Sequence, residues 1–318
     1  MGEGGEAVVE FGIQLGAPAA EPMGDRLAYY REMLEQAPEA FSSAWISDHL
    51  MKDDSPTFEG WTALTYLAAL FPTYRFGNLV LSQSYRNPAL LAKMAATLQA
   101  MTGGRLILGI GAGWQADEYL AYGYPYPGGA ERVEQLGEAI DVLRAMWTQS
   151  PATFEGRHYQ VHDAYCEPRP DPPIPILVGG RRPKLMRVAA AKADLWSWDG
   201  PIERYGPLVE QLREACRDVG RDWATMGLHA AGEAYFPLNA ADFPDPADTS
   251  GTMASVSSAQ DPTGLYANEM DWVMGPTPED AVRQLRPIVE LGITMLSVYF
   301  HDRRSARLFA TEVVPAFS

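Results

Sequence analysis

The chain has 318 residues, 47% of them hydrophobic, and a formal net charge of −16. That length and apolar content supply a substantial core, and α/β barrels of this size fold as one unit. The acidic balance argues against nucleic-acid and anionic-membrane partners, which require a basic footprint. Two cysteines, Cys166 and Cys216, form no C-x-x-C pair. They read as free thiols in a reducing, cytoplasmic compartment, with no zinc site. Residues 1–6 (MGEGGE) lack the basic start and apolar core of a signal peptide. No apolar run is long enough to span a bilayer.

Residues 8–15 (VVEFGIQL) read as a first strand, and residues 25–36 as a helix with Leu27, Tyr30 and Leu34 on one face. Residues 43–47 (SAWIS) make a second strand that ends at Asp48 and His49, before a helix over 58–70. Residues 77–82 (GNLVLS) make a third strand, and Pro88 opens a helix that runs to about residue 101. A fourth strand covers 105–110 (RLILGI), and an amphipathic helix covers 131–148. Residues 154–161 alternate around a Glu-Gly turn and predict a short hairpin insertion. Residues 174–180 (IPILVGG) give the fifth strand, with a helix to Lys192. The sixth strand lies at 194–198, its helix at 202–219, and the seventh strand at 226–233. A helix over 278–291 takes Thr277 as N-cap. The eighth strand is 295–300 (MLSVYF), and a terminal helix starts at Arg304.

Eight strands, each followed by a helix, predict a parallel sheet closed into a (β/α)8 TIM barrel, one α/β domain over residues 1–318. A doubly wound open sheet would carry a G-x-G-x-x-G turn directly after strand one, and none follows Gly12 and Gly16. Residues 237–271, rich in Asp, Ser, Pro, Ala and Gly, break the rhythm and are expected to form a lid or flexible insertion.

In such barrels the chemistry sits at the C-terminal ends of the strands. Asp48 and His49 place a carboxylate beside an imidazole there, a pair suited to moving a proton with a fixed tautomer. Either residue also fits a structural role, Asp48 as a turn cap and His49 as a packed ring. Gly179 and Gly180, followed by Arg181, Arg182 and Lys184, open a helix. Its free N–H groups and the cations make a plausible phosphate seat. Gln14, Trp114, Trp198 and His301 are the expected substrate pocket, and the two tryptophans could wall an aromatic cofactor. The glycines at 109, 111 and 113 lack the dinucleotide spacing and more plausibly let the backbone pass close under a flat ring. No metal-binding motif, Walker loop or nucleophile elbow is present.

Residues 85–119 (YRNPALLAKMAATLQAMTGGRLILGIGAGWQADEY) resemble the most characteristic stretch of the luciferase-like monooxygenase family. Residues 45–50 (WISDHL), 173–180 (PIPILVGG) and 275–280 (GPTPED) are similar to further segments of that family in the same order. The resemblance implies a (β/α)8 barrel, usually dimeric, that binds FMN or the deazaflavin coenzyme F420. In the deazaflavin branch the ring would face Asp48 and His49. A non-prolyl cis peptide would bulge under it near Val80 and Ser82. Gly111, Ala112, Gly113 and Asp117 would contribute from the fourth strand, and Val178, Gly179 and Gly180 would take the phosphate end. The paired glycines and the Asp-His dipeptide lean the reading towards F420. Arg181 and Arg182 stand where many relatives carry glycine. Trp114 replaces a Glu of the sugar-phosphate dehydrogenases, and Lys52 and Asp53 stand where those enzymes have a Trp. Both differences speak against glucose 6-phosphate as substrate.

The expected function is hydride transfer between F420 and a small organic substrate, with His49 as acid or base and Asp48 as its orienter or a cofactor contact. One alternative is an FMN monooxygenase fed by a flavin reductase. Another is a flavin-binding protein without catalysis.

Overall fold

Each predicted strand and helix finds a counterpart in the computed structural model, which describes residues 9–16, 23–36, 39–51, 56–243 and 273–317. In chain order the first elements are β1 (Glu10–Gln14), α1 (Met23–Glu35), β2 (Ser43–Ile46), α2 (Gly60–Leu70), β3 (Arg75–Asn78), β4 (Leu81–Ser82) and α3 (Pro88–Thr102). Then come β5 (Leu106–Gly111), α4 (Ala116–Ala121), α5 (Gly129–Thr148), β6 (Ala152–Glu155), β7 (Gln160–Ala164), β8 (Ile176–Gly179) and α6 (Pro183–Lys192). The last are β9 (Leu195–Asp199), α7 (Tyr205–Asp218), β10 (Gly227–Ala234), β11 (Val273–Met274), α8 (Pro278–Glu290), β12 (Met295–Phe300) and α9 (Arg303–Leu308). Strand for strand this is the closed parallel (β/α)8 barrel, with β9 pairing back to β10.

The chain divides into two compact units, and the division falls inside β2 and β9. The first comprises Met1–Ala44, Ser197–Glu210 and Gly227–Ser318; the second comprises Trp45–Trp196 and Gln211–Met226. In the first unit β11, β10, β12 and β1 run in that order, all parallel. Side chains alternate across a strand. Phe11 therefore packs edge-on against Phe309 at 5.6 Å, and Phe300 meets Phe41 and Phe309 at 5.7 and 5.4 Å, all on the helix side. On the other face the Ser197 hydroxyl and His229 Nδ1 share a buried hydrogen bond of 2.8 Å. Thr277 caps α8 by accepting the Asp280 N–H at 3.2 Å, as its position predicts. The two-residue strand β11 is too short for its pattern to be read. Of the expected insertion at 237–271, residues 244–271 lie outside the described residues, while a 3-10 turn at Ala240–Asp242 falls within them.

In the second unit β3 with β4, β5 and β8 form the parallel sheet. The expected third strand is two short pieces parted by a cis peptide bond between Leu79 and Val80. Asn87 caps α3, accepting from the Ala89 and Leu90 N–H groups, and Pro88 occupies its first turn. The hairpin β6–β7 is antiparallel and stands apart from the barrel sheet. Glu138 on α5 holds its turn by accepting the N–H groups of Arg157, His158 and Tyr159. The Tyr159 hydroxyl in turn donates to Gln83 Oε1 at 2.6 Å, which ties the hairpin to the loop after β4.

Candidate active site

The second unit gathers most of the expected cofactor residues. Val80, at the cis bond, projects towards two glycines on the neighbouring strands. A Cβ on Gly111 would stand 2.8 Å from Val80 Cγ2, and one on Gly179 would stand 3.1 Å from Val80 Cγ1. These glycines therefore make room for the Val80 side chain. At Gly111, one of the three glycines expected to let the backbone pass close under a flat ring, the protein's own valine fills the space. At Gly113 the room is taken by the Tyr119 hydroxyl, which shares a very short hydrogen bond with Ser82 Oγ.

Asp48 and His49 are neighbours in sequence but belong to separate networks. The Asp48 side chain is 3% exposed. It accepts two hydrogen bonds from Arg86, at 2.8 and 2.9 Å, and one from the Ser82 N–H at 3.0 Å. Arg86 also pairs with Glu59, whose carboxylate caps α2 through the Trp61 and Thr62 N–H groups. Burial pushes the Asp48 carboxyl above its ordinary value, while the Arg86 guanidinium pulls it back. Asp48 is thus a clamp joining the second strand end, the residue after the bulge and the start of α2.

The partner of His49 is Glu118, on α4. Its Oε1 lies 3.1 Å from His49 Nδ1 and accepts the Leu50 and Met51 N–H groups at 3.0 and 3.2 Å. Its Oε2 accepts the Tyr85 hydroxyl at 2.9 Å. Burial alone would raise this carboxyl, but its donors, His49 and the Met51 N–H foremost, take it below the ordinary value. An ionised carboxylate only accepts, so Nδ1 carries the proton and Nε2 of a neutral His49 is left as the acceptor. Asp48 is therefore not the orienter of His49, and Glu118 takes that place. The Trp114 ring stands edge-on to His49 at 5.6 Å, 39% exposed.

Gly180 adopts a φ of +127, which favours glycine, and its carbonyl accepts the Trp196 indole N–H at 2.7 Å. Helix α6 then begins after Arg182 with Pro183 in its first turn and no side-chain cap. Arg182 and Lys184 are exposed there, and Arg181 is half-buried. The Val178 side chain is fully buried, so only its main chain could meet a ligand. Ala112 and Asp117 are half-buried at the start of the loop and of α4, and the buried Asp117 Oδ1 has no hydrogen-bond partner.

Of the expected substrate residues, Gln14, Trp198 and His301 belong to the first unit and Trp114 to the second. Trp198 is a correction. It is 4% exposed and packs on Tyr205 of α7 at 4.7 Å, because Ser197 before it faces His229 on the opposite side of the strand. Gln14 donates to the Ser297 carbonyl at 3.0 Å, and His301 pairs with Glu233 at 2.6 Å. Among the described residues no cluster of three potential metal ligands occurs. No described helix is long and apolar enough to cross a membrane.

The sequence profile of the luciferase-like monooxygenase family matches residues 9–242. The chain is 31% identical over 326 residues to an F420-dependent glucose-6-phosphate dehydrogenase of Intrasporangium calvum, covering 93% of this chain and 96% of that protein. It is 29% identical over 302 residues to the enzyme of the same description from Kineococcus radiotolerans, covering 87% and 89%. Among solved structures, an F420-dependent secondary alcohol dehydrogenase in complex with an F420–acetone adduct superposes with a TM-score of 0.80 at 20% identity, covering 98% and 99%. The bulged third strand, the glycine pair before α6 and the match along most of its length agree: this chain belongs to the luciferase-like monooxygenase family.

Proposed function

We propose that the chain is an F420-dependent oxidoreductase acting on a small organic substrate, with His49 as its proton-transferring residue. The observation that carries this reading is the His49–Glu118 pair, set in the same unit as the Val80 cradle.

The residues present fit the cofactor. Val80, seated against Gly111 and Gly179, offers an apolar support for a flat ring. The uncapped start of α6, with Arg181, Arg182 and Lys184, offers donors and positive charge to an anionic tail. The unpartnered Asp117 Oδ1 is a buried acceptor waiting for a ligand donor. Coenzyme F420, when bound, supplies the two-electron carbon centre that exchanges a hydride. His49 handles the accompanying proton. When a carbinol carbon loses hydride, its hydroxyl proton passes to Nε2; in the reductive direction Nε2 returns it. Glu118 keeps Nδ1 protonated throughout, stabilises the imidazolium and holds the ring in place. Trp114 excludes water from one side of the imidazole.

His49→Ala is expected to cut turnover by about a hundredfold or more while F420 affinity stays within a few-fold. Glu118→Ala is expected to reproduce much of that loss with His49 still present. Unchanged turnover in His49→Ala would remove the residue from the mechanism. A homodimer in the cytoplasm belongs to the same reading, on the family resemblance and on the free, buried thiols of Cys166 and Cys216.

A further inference from the structure

Glu118 divides its two oxygens between two jobs. Oε1 serves His49 and the Leu50 and Met51 N–H groups. Oε2 takes the Tyr85 hydroxyl at 2.9 Å, and among the described residues it has no other donor. The Glu118 side chain is 2% exposed, so solvent replaces a lost donor poorly.

Tyr85 is held in that position by its neighbours. Its ring packs on Tyr119 at 4.8 Å and on Tyr124 at 5.0 Å. Its N–H donates to the Ser82 carbonyl at 3.3 Å, and its own carbonyl accepts the Tyr124 hydroxyl at 3.1 Å. Burial, and after it the Glu118 charge, pushes the Tyr85 hydroxyl far above its usual value, so it remains a donor. Two consecutive residues thus reach both networks at the second strand end, Arg86 donating to Asp48 and Tyr85 to Glu118. The segment that begins at the Val80 cradle ends on the partner of the proton carrier.

A carboxylate that shares its charge among several donors holds a neighbouring imidazolium less tightly than a bare one. The phenol therefore moderates the pull of Glu118 on His49. The other titratable groups beside the pair, among the described residues, have partners of their own. Asp48 is held by Arg86, which also pairs with Glu59; Tyr119 is bonded to Ser82, and Tyr122 to the Leu50 carbonyl. A substitution that removes only the Tyr85 hydroxyl leaves all of these in place.

We propose that Tyr85 is a positioning residue for the proton carrier: its hydroxyl fixes Glu118 with Oε1 towards His49 and draws off part of the carboxylate charge, so that His49 releases a proton as readily as it takes one up. The inference deepens the proposed function and rests on it. The transferred proton moves only at Nε2, while the Tyr85 and Nδ1 protons stay where they are.

The test titrates the full-length protein with its five histidines carbon-labelled at Cε1, the His49 resonance being assigned by its loss in His49→Gln. In Tyr85→Phe the midpoint of the His49 signal is expected to rise by about one pH unit. In Glu118→Gln, which removes the charge itself, it is expected to fall. Tyr124→Phe removes the adjoining hydroxyl, which bonds the Tyr85 carbonyl rather than Glu118, and should leave the midpoint in place. A merely structural disturbance would act alike in both tyrosine variants. If Tyr85→Phe does not fold, Tyr85→Met, which fills much of the same space without a hydroxyl, is read in its place. An unmoved or lowered midpoint in the Tyr85 variant overturns the proposal, as does an equal rise in Tyr124→Phe or an unmoved midpoint in Glu118→Gln. F420 binding is measured by fluorescence on the same samples. Its absence would count against the cofactor reading, and the His49 midpoint would still decide the role of Tyr85.

Discussion

Replacing Asp48 by Asn separates a clamp from a proton carrier. The substitution keeps the side-chain shape and one acceptor for the Ser82 N–H, but it removes the charge facing Arg86. The Asp48 and Arg86 side chains are 3% and 11% exposed, so solvent screens the loss only weakly. Removing one partner of a buried pair costs about 3–5 kcal/mol, because the other charge is left uncompensated. Glu59 remains beside Arg86 and is 38% exposed, which places the expected cost at the low end, about 3 kcal/mol. Urea unfolding should show a lower midpoint with an unchanged slope. The double replacement Asp48→Asn with Arg86→Met should lose less than the sum of the single changes, since the two residues act as a unit. Turnover should fall mainly with the population of folded protein. A stability loss under about 1 kcal/mol together with collapsed turnover would refute the clamp and make Asp48 part of the chemistry.

The cradle predicts that Gly111→Ala, whose Cβ would lie 2.8 Å from Val80 Cγ2, forces the stiff valine to shift. Overpacking of this kind costs about 1–3 kcal/mol, and F420 affinity should drop about tenfold; unchanged affinity would show that Val80 does not support the cofactor. His229 predicts a pH dependence. Burial pulls its imidazole from 6.5 to about 3, so the unfolded chain takes up the proton first as pH falls. Stability is therefore lost as pH drops below about 6.5, by up to about 1.4 kcal/mol per unit. His229→Asn should flatten that part of the urea-midpoint profile, and an unaltered slope would place the titration elsewhere.

The eight strands are legible because each joins an apolar run to a turn signal, and the eighth spans Met295–Phe300 in sequence pattern and structure alike. The third reads as continuous because no residue type marks a cis bond between Leu79 and Val80. The site is legible in part. His49 and the glycine pair stand out at strand ends, but adjacency in sequence pairs Asp48 with His49. Residues that adjoin at the end of a strand tend to face opposite ways, so the imidazole finds its carboxylate 69 positions away, on Glu118. No spacing within one chain announces such a contact. Trp198, by contrast, was readable: alternation across β9 sends it to the helix side once Ser197 faces inward.

The most direct test of the account is a fluorescence titration of the purified protein with coenzyme F420 and, separately, with FMN. The account predicts saturable F420 binding in the low micromolar range or tighter, about tenfold or more ahead of FMN. Tighter binding of FMN, or binding of neither, would contradict it.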